Sequence, residues 1–250
     1  MKKVITLMCI GLLYSCSEPS KTSEWTYLFD GSSLDGWRAY NGEGLPPGWA
    51  VVDSLMTFKT EFISESDYDY KGSRDLIYGT QEFENFELYV EWKIPPGGNS
   101  GIFYHIKEGY SGIPEVAPEY QLIDDLHYTD FHDIEDYNRS IGITDHPEKL
   151  QPIQSTGADY GMYTPKEGKT LHPAGSWNST TIRFTPEKVT YYLNGEVMLE
   201  FVPWSEDWNQ RKNEGKWGMA EDYGKYRKGF IGLQDHGSEL WFKTVKIKEL

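Results

Sequence analysis

Apolar and polar residues alternate in short runs along most of the chain, and the runs end at Gly, Pro, Asn or Asp. The clearest is FENFELYVEWKIP (Phe83–Pro95). Phe86, Leu88, Val90 and Trp92 fall on one face, and Glu87, Tyr89, Glu91 and Lys93 on the other. A period of two marks a strand with one buried face. WTYLFD (Trp25–Asp30) reads as a strand entering a Gly/Ser/Asp loop, and WAVVDSLMTFK (Trp49–Lys59) as two short strands around Asp53-Ser54. IFYHIK continues as a strand after PPGGNSG, and EYQLID, TTIRFTPEKVTYYLNGEVMLEF, FIGLQD and LWFKTVKIKEL complete the series. Asn194-Gly195 stands between two β-runs, the strongest short-range hairpin signal. The last strand is mixed: Trp241, Lys243, Val245 and Ile247 share one face, with Phe242, Thr244, Lys246 and Lys248 opposite, so the pattern leaves its orientation open.

No stretch keeps a helical period over three turns, and no internal repeat is visible. Short strands with Gly, Pro and Asn turns predict an all-β, antiparallel sandwich or barrel. Two stretches interrupt the strands, Asp124–Gly157 and Val202–Gly229. Each is long enough to form a lid or rim, and the second has room for a short helix near Trp204–Lys212.

The N-terminus changes the picture of where this sandwich works. Lys2 and Lys3 precede an apolar run, Val4–Leu13, too short to span a bilayer, and Ser15-Cys16 ends it. Residues 1–16 read as a lipoprotein signal with Cys16 as the lipidated residue, 17–24 as a polar tether, and 25–250 as one domain. The expected place is the bacterial cell envelope, with the lipid as the membrane contact. Cys9 leaves with the signal, so disulfides, Cys-based zinc sites and thiol nucleophiles are excluded. With 39 acidic against 24 basic residues, the net charge is −15. That excludes nucleic acid, whose phosphates need clustered Lys and Arg. Nine Trp and 18 Tyr suit surfaces that stack on sugars, although β-sheets favour aromatics in any case.

Six histidines, His105, His127, His132, His146, His172 and His236, are candidates for chemistry. The chain has neither an HExxH zinc motif nor a GxSxG elbow. Asp124, Asp125, Asp130, Asp133, Glu135 and Asp136, with His127 and His132 among them, offer oxygen ligands without EF-hand spacing, and read as a solvated acidic loop. The Glu-x-Asp-x-x-Glu strand of retaining β-glucanases is absent. In EVAPEYQLIDD, however, Glu119, Gln121 and Ile123 share one strand face, with Tyr120, Leu122 and Asp124 opposite. Near the end, Gln234-Asp235-His236-Gly237 puts polar groups where a strand interior is expected.

LFDGSSLDGW, ELYVEWKIPPGGNSGIFYHI, PEYQLIDD, SWNSTTIRF, YYLNG and GFIGLQDHGSELWFKTVKI occur in that order. Together they make the chain resemble the 3-keto-disaccharide hydrolase domain family over about Trp25 to Leu250. The resemblance implies a two-sheet antiparallel jelly roll of the concanavalin A-like lectin/glucanase type. It maps onto Asn99-Ser100-Gly101, onto Glu119, Gln121 and Asp124, onto Trp177-Asn178, and onto Gln234 to Gly237. The chain departs from the family at His105, where Arg is frequent, and in the acidic insertion Leu126–Ser155.

The implied reaction is cleavage of glycosides carrying a ketone at C3, in which a base takes the acidic C2 proton, the C1 substituent leaves and water adds. His236 and Glu119 are expected as the acid–base pair, with the division of roles open. Gln121, Gln234 and Asn99 are expected on sugar hydroxyls, with Asp124 and Asp235 at the substrate, where either orients the histidine. A divalent metal on His236 is a possible enolate stabiliser. Trp204, Trp208, Trp217 and Tyr223 are expected to stack on sugar, and Trp37, Trp92, Trp177 and Trp241 to pack the sheets. The alternatives are a conventional glycoside hydrolase on the same fold and a carbohydrate-binding lipoprotein without catalysis.

Overall fold

The strands pair into two antiparallel sheets in a computed structural model that describes residues 24–67 and 70–250. Residues 1–23, which include the expected signal, Cys16 and most of the expected tether, lie outside the described residues. The larger sheet has eight strands. Its order is β11 (Glu196–Phe201), β10 (Val189–Leu193), β9 (Asn178–Phe184), β6 (Phe86–Lys93), β13 (Leu240–Glu249), β4 (Leu55–Phe58) and β3 (Trp49–Val52), with β1 (Thr26–Phe29) on the far end of β13. The five-stranded sheet runs β2 (Trp37–Ala39), β5 (Leu76–Tyr78), β12 (Phe230–Leu233), β7 (Asn99–Ile106) and β8 (Glu119–Ile123). This is the expected jelly-roll sandwich. Strands β2 and β5 are the ones the pattern missed, since three residues each are too few to show an alternation.

The inner faces meet over an aromatic core that includes Trp92, Tyr104, Tyr120, Tyr191, Phe86 and Phe242. Burying each such side chain contributes roughly 1.5–3 kcal/mol. Trp92 Nε1 donates to Thr180 Oγ1 at 3.0 Å, and the Tyr104 and Tyr191 hydroxyls join the two sheets at 2.8 Å. Trp37 is also buried, while Trp177 and Trp241 lie half-buried on either side of Lys93.

A bulge explains the mixed face of the last strand. Phe242 pairs with Trp92 and Thr244 with Glu91, so Lys243 is an extra residue. One extra residue reverses the phase of side chains along a strand. Leu240 and Phe242 therefore face the core before it, and Val245 and Ile247 after it.

A second irregularity settles His105. The β7–β12 register shifts between Ile106 and Phe103, and His105 takes φ +55°. Its ring packs at 4.4 Å from Phe184, with Nε2 bonded to Glu84 O at 2.9 Å. Burial lowers its pKa to about 4, so it is a neutral packing residue.

The interruptions carry the helices. Helix α3 (Glu206–Glu214) lies where one was expected, beginning two residues later; Ser205 Oγ caps it by accepting from Trp208 N at 3.2 Å. The acidic insertion folds into α1 (Tyr128–Phe131) and α2 (Glu135–Ser140).

Candidate active site

Alternation along β8 sends Tyr120 and Leu122 into the core, so Glu119 and Gln121 project from the outer face of the smaller sheet. Gly101 lies opposite Gln121, and a Cβ there would occupy the space of the Glu119 carboxyl. The Asn-Ser-Gly triplet thus needs its glycine to admit Glu119. The same triplet is stitched to the polar run after β12. Ser100 Oγ donates to Gln234 O at 2.8 Å, Gln234 N to Gly101 O at 2.9 Å, and Asn99 N to Ser238 Oγ at 3.1 Å. Two motifs far apart in sequence become one polar patch.

Loops enclose that patch in a cavity of about 380 Å³. The acidic insertion supplies Tyr128, His132, Ile134, Tyr137 and Gln154; Tyr160 follows, and the late loop adds Lys216 and Trp217. The insertion is tied down from within. Buried Asn138 donates to Pro147 O at 2.7 Å and to Lys149 O at 3.1 Å, and its own Oδ1 accepts from Gln154 Nε2 at 2.8 Å. His132 Nε2 bonds Gly97 O at 3.0 Å, and its ring stacks on Tyr128 at 4.4 Å.

The electrostatics are those of a site with polar demands left open. Burial raises the pKa of Glu119 to about 8; Lys216 pulls it down and Asp75 pushes it up. Its carboxyl makes no hydrogen bond among the described residues. Asp75, whose carboxylate accepts from Asp235 N at 2.9 Å, is itself raised to about 6 by burial. His236 stands exposed at the mouth, yet protein crowds its ring enough to lower its pKa from 6.5; Asp235 opposes that shift, and His132 and Lys216 add to it. Asn99 Oδ1 and Gln234 Oε1 are buried without a partner. Such groups each cost about 1–3 kcal/mol, which a ligand's hydroxyl donors would recover.

Of the residues expected from sequence, Asn99, Glu119, Gln121, Gln234 and His236 line this one cavity. Three others are placed elsewhere. The Asp124 carboxylate accepts from Gly97 N at 2.9 Å, Leu126 N at 3.2 Å and His127 N at 3.4 Å, so it caps two turns behind the wall. Asp235 accepts from Gly237 N at 2.7 Å, closing the turn that carries His236 without bonding its ring. Trp208 is buried, stacked on Tyr223 and lying over Gly224. Trp204 and Tyr223 also pack against the core, leaving Trp217 as the cavity aromatic of that loop. Among the described residues no group of three or more His, Cys, Asp or Glu side chains is placed to hold a metal ion, so the donors do not fit the divalent site considered from sequence. Unforeseen were Lys216, Tyr137, Tyr160 and Gln154, which come from loops with no strand pattern to orient them.

A jelly roll with an enclosed, partly unsatisfied polar cavity has the form of a small-molecule or glycan site. The chain belongs to the 3-keto-α-glucoside-1,2-lyase-like domain family, whose model matches residues 24–248. It is 31% identical to a 3-keto-disaccharide hydrolase of Bacteroides thetaiotaomicron, over 93% of this chain and 80% of that one. A crystal structure from Parabacteroides distasonis, provisionally named a glycosyl hydrolase, superposes with a TM-score of 0.77 at 37% identity, covering 90% of this chain and 94% of that one. A second from that species shares the fold, with a TM-score of 0.61 at 23% identity over 91% of this chain and all of the other. The protein is therefore an enzyme of the glycosyl hydrolase and lyase type.

Proposed function

We propose that the enzyme cleaves glycosides already oxidised to a ketone at C3, by elimination across C1–C2 followed by hydration. The observation that carries this reading is the pairing, in one cavity, of a carboxyl held protonated to about pH 8 with a histidine whose pKa lies below 6.5. At neutral pH Glu119 is the acid and His236 the free base, the division that sequence left open. His236 takes the C2 proton, made acidic by the C3 ketone, and the C2–H electrons form an enolate. The enolate collapses, the C1–O bond breaks, and Glu119 protonates the departing oxygen. Water then adds its hydroxyl to C1 and its proton to C2, and the proton taken by His236 returns through solvent to Glu119, completing a net hydrolysis with both groups restored. Asn99 Oδ1 and Gln234 Oε1 accept from sugar hydroxyls, and Trp217, buried and stacked on Tyr223, lines the wall beside them. The family and the named Bacteroides relative support the same choice of substrate.

Matched native and 3-keto glucosides test the reading, with aglycone release followed in D₂O. Release from the 3-keto substrate, with deuterium at C2 of the product, is expected. Release from the native glucoside alone identifies a conventional hydrolase, and glycan binding without release identifies a binding protein; either result overturns the proposal. The proposal extends to a lipid anchor on Cys16 in the cell envelope. Labelled palmitate should enter the protein, and Cys16→Ala should abolish that labelling; labelling that survives the substitution would exclude this anchor.

A further inference from the structure

The reaction above leaves one role unfilled, because charge develops on the C3 oxygen as the C2 proton departs and something must receive it. We propose that Lys216 does, its ammonium group binding that oxygen; this rests on the reading of the site just given and completes it.

Lys216 shares the cavity with Glu119 and His236, and its charge is felt by both, opposing the rise at Glu119 and adding to the fall at His236. Its position is set by aromatic groups. Nζ donates to Tyr137 Oη at 2.7 Å and lies 3.9 Å from the Tyr160 ring centre and 4.5 Å from that of Trp217. The Tyr137 and Tyr160 hydroxyls are themselves joined at 2.8 Å. Aromatic faces attract a cation without cancelling its field as a carboxylate would.

Lys216 forms no ion pair among the described residues, in a chain with 39 acidic residues against 24 basic ones. An ammonium has three N–H donors. One is used by Tyr137, which leaves donors for a ligand.

The backbone opposite is shaped to admit this side chain. Gly161 takes φ +74°, and a Cβ there would lie 3.1 Å from Lys216 Cδ and 3.0 Å from Trp217 Nε1. Trp217 Nε1 donates to Tyr160 O at 2.8 Å, fixing the Lys-Trp pair against that turn. A cation that is oriented, unneutralised and shares one cavity with an acid and a base suits charge that appears only during the reaction. As the C2–H pair moves into the C2–C3 bond, the carbonyl electrons move onto oxygen beside Nζ; they return when the C1–O bond breaks. Lys216 keeps its own proton throughout.

The test uses the whole mature protein with a 3-keto glucoside carrying hydrogen or deuterium at C2. Removing one such stabilising donor lowers kcat by about 10²–10³. Lys216→Met should do so with KM changed less than a few-fold and a larger C2 isotope effect, because proton removal becomes more fully rate-limiting. Lys216→Arg should recover part of the rate. Tyr137→Phe keeps the cation and removes only its hydrogen bond, so it should cost a few-fold in kcat at unchanged KM.

A Lys216→Met enzyme within about three-fold of wild type overturns the assignment alone. So does a loss that follows a fall in Tm with an unchanged isotope effect, which marks a structural strut. So does a loss confined to KM on carboxylated sugars, which marks an anchor for a permanent anion. A wild-type enzyme inactive on the 3-keto substrate overturns the site reading together with the role of Lys216.

Discussion

The outer faces of the two sheets use similar residues to opposite ends. On the eight-stranded sheet, Lys246 lies over Trp25 at 4.8 Å and Tyr89 at 4.8 Å, and Lys93 sits between Trp177 and Trp241 at 5.3 and 4.5 Å. Arg183 pairs with Glu87 at 3.0 Å and Lys243 with Glu91 at 3.8 Å. These charged groups reach water, and such contacts contribute little. On the five-stranded sheet, loops enclose Glu119, Asn99 and Gln234 with polar atoms left unpaired. Residue type does not separate the faces; uncompensated burial does. A fold that retains several such groups in one cavity gives up stability that chemistry or binding can use.

The largest effect should come from Glu119→Gln, which keeps the shape and removes the acid. General acid catalysis accounts for about 10²–10⁴ in rate, so kcat should fall by that factor. Stability should move the other way. Glu119 has a pKa near 8 in the folded protein against 4.5 ordinarily, so the folded state binds its proton more tightly. Its contribution is fully present below pH 4.5 and is lost as pH rises through 8. The variant should therefore unfold at a higher temperature than wild type at pH 8.5 and match it at pH 4. Wild-type activity should also fall above about pH 8 as the acid ionises. A variant that is both active and unstabilised would show that the buried carboxyl is structural, and the contrast between the faces would collapse.

Asp124 supplies an intermediate case, since it lies five residues beyond Glu119 and reads like it in sequence. Its carboxylate serves three backbone N–H groups. Asp124→Ala should destabilise the protein by about 1–3 kcal/mol through those orphaned donors. Because the capped turns hold the insertion, KM should rise more than kcat falls. Chemical denaturation together with steady-state kinetics distinguishes this from a direct catalytic role, which would lower kcat and leave stability nearly unchanged.

The same pair shows what could be read from sequence. Alternation placed Glu119 and Gln121 correctly because their neighbours Tyr120 and Leu122 are apolar and claim the core. The Asn194-Gly195 hairpin was legible because its turn chemistry is local. Asp124 and Trp208 were assigned to the substrate because neither composition nor spacing says whether a carboxylate is already capped or an indole already covered. Lys216 stayed invisible for a related reason. Its setting depends on Tyr137, Tyr160 and Gly161, which only the folded loops bring beside it. The Lys243 bulge defeated the face assignment of β13 because a single added residue leaves no mark in composition.

The smallest effect tests the comparison most directly. Lys246, like Lys216, is surrounded by aromatic rings, Trp25, Tyr27 and Tyr89, but on an open sheet face. If an aromatic setting alone made a lysine functional, both should matter. If enclosure beside an acid and a base is what matters, Lys246→Gln should leave kcat and KM unchanged and move stability by no more than about 0.5 kcal/mol. Measured beside Lys216→Met under identical conditions, the two substitutions remove the same charge from two aromatic settings. Equal losses of activity would mean that net charge or long-range steering governs the rate. A loss at Lys216 alone ties it to the enclosed site, because there the cation shares a cavity with Glu119 and His236.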